Sequence, residues 1–348
     1  MLERYLEDLE SRIDADAEET LLAEWQSFAD GDFRGDLFSP RRTAPAPPAI
    51  EWPDVPVNDA LEDFERMALQ QLADCSRALE SGNSAFLAVR CNYGTAIMPS
   101  LFGARLFVMD EATNTLPTTE PLAGGEDAIR DVVAGGVPDL RAGLGERVFE
   151  MAERFTEWLA PYPGVRRYVH VYHPDMQGPM DICEMLWGSG LFLALCDVPD
   201  LVHALLEVVT ETYTRFMQDW NRLIPPGDGY AVHWAMLHKG RIMLRDDSAM
   251  NLSPDMFAEF VEPYDQRLLD AFGGGGLHFC GRGDHYVHRL PEMAGVYALA
   301  MSQPECNDME RIYRHTVDRG IPLIGFPREA AEAALRRGRD LHGNVHCW

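Results

Sequence analysis

The stretch "GLHFCGRGDHYVHRLPEMAGVYALAMSQPECNDMERIYRHTVDRGIPLIGFPREAAEAALRRGRDLHGNVHCW", residues 276–348, decides the fold class. Short β-prone runs ("GLHFCG", "VYALAMS", "IPLIGF", "NVHCW") alternate in it with helical runs ("NDMERIYRHTVDRG", "REAAEAALRRG"). Strands separated by helices make βαβ units and a parallel sheet. The alternation extends upstream through "AFLAVRC" (85–91), "RYVHVYH" (167–173), a long helical region ending at 223, and "YAVHWAM" (230–236). Ser253 and Pro254 pair as N-cap and first-turn residue of a helix that the glycines at 273–276 terminate. With about eight strands and no dinucleotide-type glycine motif after the first, the expected fold is α/β, a closed (β/α)8 TIM barrel over residues 83–348. Residues 1–82 read as an N-terminal helical extension with a proline-rich connector at 39–57. The eighth strand lies at the chain end, so a helix of the extension is expected over the seam between first and last strands.

Composition narrows the partners. Against 30 basic residues stand 56 acidic ones, a formal charge of −26 that repels phosphate backbones and anionic lipid surfaces. A small-molecule substrate is expected, with no nucleic acid and no membrane, and a homodimer is the oligomer considered. Seven scattered cysteines do not read as a disulfide framework, which favours a reducing compartment. The acidic first residues lack a signal-peptide pattern, and the longest apolar run, "LWGSGLFLALC" (186–196), falls short of the roughly 20 residues that span a bilayer. The expected location is cytoplasmic.

Candidate chemistry gathers at predicted strand ends. In a strand, residues two apart share a face, so His278 and Cys280 can both point into a barrel mouth. Imidazole and thiolate are zinc ligands, and Cys347, at the end of the last strand, is the candidate third. The same spacing also suits two strand residues with no metal. Asp284, His285 and His288 read as loop or capping residues. In "LHKGRIMLRDDSAMNLSP" (237–254), Arg245, Asp246 and Asp247 are candidates for substrate binding or catalysis, Asp247 as acid or orienting group and His278 beside it; a cap or ion pair is the alternative. His238 in the same segment, His173, Gln177 and Asp181 in "YHPDMQGPMD" (172–181), and Tyr93 in "VRCNYGT" (89–95) complete the substrate-binding set.

The run "MLRDDSAMNLSPDMFAEFVEPYDQRLLDAFGGGGLHFCG" (243–281) resembles the uroporphyrinogen decarboxylase superfamily, in particular its cobalamin-dependent methyltransferase branch, such as methylcobalamin:coenzyme M methyltransferases. The likeness rests on an acidic residue, "SP" opening a helix that carries "EPY", then HxCG, and extends from about residue 85 to the end. It implies a (β/α)8 barrel in which the HxC pair and a cysteine after the last strand, here His278, Cys280 and Cys347, bind Zn2+ and activate a thiol for methyl transfer from or to a corrinoid. The arginine-rich N-terminal signature of the decarboxylases is absent, and Trp348 stands where a glycine follows the last-strand cysteine. No corrinoid-binding domain is recognisable, so cobalamin would arrive on a separate corrinoid protein. The leading expectation is a zinc-dependent methyltransferase. A metal-independent decarboxylase and a non-catalytic binding barrel are the alternatives.

Overall fold

The computed structural model describes residues 2–348 and is a mixed α/β structure in which helices enclose short strands. β1 (Leu87–Val89), β2 (Leu106–Phe107), β3 (Thr118–Thr119) and β4 (Val169–Val171) precede β5 (Tyr230–His233), β6 (Met236–Lys239), β7 (Ile242–Arg245), β8 (Gly275–Phe279) and β9 (Val296–Met301). β1 pairs in parallel with β4, and β7, β8 and β9 form a parallel sheet. Single parallel bridges carry this row onward from Leu299 to Leu323, from Leu323 to Val345, and from His346 to Phe38.

The expected closed ladder of eight strands is not what the hydrogen bonds form. Among the described residues they make one three-stranded and three two-stranded sheets. Two local causes are visible. Between β4 and β7 the ladder is replaced by a side chain, because His173 Nε2 accepts from the Met243 amide at 3.1 Å. And "YAVHWAM" is not one strand but part of an antiparallel hairpin, β5–β6, turning at Trp234 and Ala235 with φ of 48° and 59°. Two central residues with positive φ match the twist of a tight hairpin.

That hairpin fills the interior. Val232, Met236 and Leu237 pack against Met243, Ala298, Ala300 and Ile324 on the one side and against Leu21, Trp25 and Phe28 of the extension on the other. The helix Ala15–Ala29 begins at Asp14, whose carboxylate accepts from the Asp16 and Ala17 amides. It ends against both edges of the fold: Trp25 donates to the Ser84 carbonyl at 3.1 Å, and its ring lies 4.3 Å from that of His346 and 5.1 Å from that of Phe38. The helix therefore bridges the segment just before β1 and the last bridged segment at His346. A buried pair, Arg42 with Glu18, holds the connector to the same helix at 2.5 Å. The helix Glu3–Arg12 adds Tyr5, Leu6 and Leu9 to the outer core between strands and surrounding helices. Among the described residues no single helix is long and apolar enough to cross a membrane.

His346 makes this packing pH-sensitive. Burial, with Arg328 nearby, lowers its pKa from 6.5 to about 3. The unfolded chain then takes up the proton first, so the contribution of His346 is intact above the unfolded value and is lost as pH falls from 6.5 toward the folded one. Asparagine keeps an acceptor near the Nδ1 position that receives the Gly325 amide, but does not titrate. In urea melts His346→Asn should be less stable than the parent at pH 7, and the gap should close by roughly 2 kcal/mol at pH 5. A gap independent of pH would show that His346 titrates normally.

Candidate metal centre

Alternation along β8 sorts its residues. Leu277 and Phe279 enter the outer core, while His278 faces the interior. β7 lies beside it with Arg245 opposite His278, and the Asp246 amide donates to the His278 carbonyl at 2.8 Å. The chain then turns, and Asp247 returns over the end of β8, where its Oδ1 accepts from the Cys280 amide at 2.6 Å. His278 Nε2 lies 3.3 Å from Cys280 Sγ and 3.7 Å from Asp247 Oδ1. One ligand atom from each of Asp247, His278 and Cys280 falls within 4.8 Å of the others.

Asp181 fixes that geometry from behind. Its two carboxylate oxygens accept from the Asp247 amide at 2.9 Å and the Ser248 amide at 2.8 Å. Burial, then the charges of Asp246 and Asp247, raise its pKa well above the usual carboxylate range. Asp246 is also raised, by burial and then by the neighbouring Asp265 carboxyl, and Asp265 itself is pushed up to about 8, mainly by burial. Two buried carboxyls in contact share a proton more readily than they carry two charges.

Arg245 is buried beneath this turn. Its Nη1 pairs with Asp175 Oδ1 at 2.9 Å, its Nη2 lies 2.8 Å from His233 Nε2, and its guanidinium packs on the Trp234 ring at 4.7 Å. Gln177 donates to the same Asp175 oxygen at 2.6 Å. Burial would raise the Asp175 pKa, but Arg245 and Arg90 outweigh it and hold the carboxylate low.

Not every residue singled out in the sequence arrives here. Cys347 does not join the pair. Its amide bonds to the Phe38 carbonyl at 3.0 Å and its side chain is fully buried in the outer core, with Arg328 and Glu332 as charged neighbours. The alternation of the last strand turns His346 inward against Trp25, and Cys347 therefore outward. The third residue of the group that could hold a metal is instead Asp247, which the sequence had suggested for catalysis. Tyr93 is in the outer core with Arg147 over its ring at 5.6 Å. His173 spends both nitrogens on the backbone: Nδ1 donates to the Pro174 carbonyl at 2.9 Å, leaving Nε2 to accept from Met243. His238 lies in the hairpin, fully buried, with Nδ1 donating to the Lys239 carbonyl at 2.8 Å. The loop after β8 is structural, as its residues suggested: Asp284 accepts from Arg282 at 2.7 Å and His285 donates to the Leu252 carbonyl at 2.8 Å.

Asp175 lies in the stretch "YHPDMQGPMD" already singled out, whereas Trp234, Asp265 and Ser302 lay in no motif. Asp175 and Trp234 surround Arg245, Asp265 pairs with Asp246, and Ser302 Oγ accepts from the Cys280 thiol at 3.5 Å. Asp265 directly follows the "EPY" triplet but was not itself singled out.

No protein-family model matches the sequence, and no curated protein sequence matches it. Among solved structures, a methyltransferase from Methanosarcina mazei is similar, with 18% identity and a TM-score of 0.64 over 94% of this chain and 92% of that one. Likeness at this identity is a likeness of fold.

Proposed function

We propose that this chain is a zinc-dependent methyltransferase whose metal is held by Asp247, His278 and Cys280, working with a corrinoid carried on a separate protein. The observation that carries the reading is the convergence of a nitrogen, a sulfur and an oxygen donor within 4.8 Å at the end of β8. In a tetrahedral zinc site with the usual bond lengths, neighbouring N, O and S donors stand about 3.4–3.6 Å apart. The separations of 3.3 Å and 3.7 Å from His278 Nε2 are close to those values. The resemblance of residues 243–281 to the corrinoid-dependent methyltransferases supports the same reading, as does the fold shared with the Methanosarcina mazei methyltransferase.

Bound zinc would supply Lewis acidity, lowering the pKa of a thiol substrate so that its sulfur is nucleophilic at neutral pH. The residues prepare for this. Burial lowers the His278 pKa, opposed by Asp247, so the imidazole is neutral and offers a lone pair at Nε2. Cys280, pushed up by burial, stays a thiol bonded to Ser302 until a cation replaces its proton. Asp247 is half-exposed, with its Oδ1 3.7 Å from His278 Nε2 and accepting from the Cys280 amide. Three protein donors leave one tetrahedral position for substrate, the arrangement of catalytic rather than structural zinc.

The test is metal analysis of protein purified without a histidine tag. About one zinc per chain is expected; a metal-free protein that takes up none would remove this reading in favour of a metal-independent decarboxylase or a binding barrel. Asp181 acts through Asp247 as a positioning residue. Asp181→Asn loses one of its two acceptors, and chelator competition should show zinc held about 10- to 100-fold more weakly, while the ligand shell seen by X-ray absorption is unchanged. Equal affinity would show that Asp181 only supports the fold.

A further inference from the structure

A cavity of about 470 Å³ opens beside His278, walled mainly by Trp234, Met236, Met301, Ile324, Pro327 and Trp348. His278 is the one ionisable side chain on its wall. The nearby cation, Arg245, is already ion-paired with Asp175 at 2.9 Å. Trp234 reaches the cavity from the turn of the interior hairpin at φ 48°, a left-handed conformation that a bulky residue adopts only at a cost of about 1–2 kcal/mol and that Asn-Gly would adopt freely. Strain of this kind persists where the surroundings hold it and gathers at ligand sites. Here it sets the indole edge-on to the His278 ring, 4.9 Å away.

We propose that the substrate group seated beside His278 is uncharged and aromatic or apolar, an aryl or alkyl thiol or its methyl thioether, and that Trp234 selects it. A carboxylate, sulfonate or phosphate would meet no cationic side chain on that wall, since Arg328 beside it is turned to the Trp348 carbonyl at 3.0 Å and the Ser39 hydroxyl at 2.6 Å, and the water it sheds is replaced only by apolar contact. A flat neutral group instead gains stacking and burial against Trp234 and the two methionines. The cavity is of ordinary size for such a ligand. The inference rests on the metal centre for the thiol but on the cavity alone for the neutral group.

Calorimetry on zinc-loaded protein with phenylmethanethiol and 3-mercaptopropionate, and on metal-free protein with anisole, separates the two. Phenylmethanethiol should bind at least about tenfold tighter than 3-mercaptopropionate. Trp234→Gly, which removes the ring and relieves the backbone, should weaken phenylmethanethiol and anisole about tenfold with zinc content unchanged. Trp234→Phe, which keeps a ring, should weaken them by only about two- to fourfold. Equal or tighter binding of 3-mercaptopropionate, or neutral ligands indifferent to Trp234→Gly, would overturn the proposal. Trp234-dependent anisole binding by a protein that takes up no zinc would support it while removing the metal reading.

Discussion

Cys280→Ala is expected to abolish stoichiometric zinc and, with it, methyl transfer to a thiol acceptor. Cys280 supplies the only sulfur of the three converging donors, and losing it leaves one imidazole and one half-exposed carboxylate. Two such ligands do not make a catalytic zinc site, whose affinity comes from three protein donors held in place. The substitution removes little packing, because Cys280 is only partly buried and its thiol touches His278 and the Ser302 hydroxyl. Thermal unfolding of the metal-free protein should therefore move by no more than about 1 kcal/mol equivalent, while zinc content falls from about one per chain to near zero. Cys347→Ala is the matched control. It removes a buried thiol on the outer side of the last strand, so it should cost some stability and leave zinc in place. If instead Cys347→Ala loses zinc and Cys280→Ala keeps it, the assignment of donors is reversed.

The second large effect concerns the extension. Trp25→Ala should destabilise the protein by about 3–5 kcal/mol in denaturant melts, the range for deleting a buried tryptophan. Its ring is fully buried among Phe28, Phe38, Phe86 and His346, and its indole N–H satisfies the Ser84 carbonyl just before β1. Alanine leaves a cavity at the junction of three segments and an unpartnered carbonyl. Because the bridge from Phe38 to His346 adjoins that cavity, the loss is expected to act on the last strand as well as on the helix. A change under 1 kcal/mol would mean that the helix Ala15–Ala29 docks loosely and the interior is stable without it.

These two expectations also mark what could be read from the sequence. The alternation of Leu277, His278, Phe279 and Cys280 was legible because a period of two fixes faces once a strand is recognised. The parity of the final strand was not legible: whether Cys347 or His346 turns inward depends on a register of one residue, set by Trp25 and Phe38 far away in sequence. The hairpin was missed because its turn is Trp-Ala rather than a glycine or asparagine pair, so nothing in "YAVHWAM" signals a reversal. Asp247 was seen, but its place as third donor depends on Asp181 holding two backbone amides across the chain, a contact no local pattern encodes.

Zinc K-edge X-ray absorption on the zinc-loaded protein tests the central claim most directly, since it counts sulfur and light donors separately. One sulfur near 2.3 Å with two or three nitrogen or oxygen donors near 2.0–2.1 Å is the result predicted for Asp247, His278, Cys280 and an open position. A shell with two sulfurs, or a protein that takes up no zinc, would contradict it.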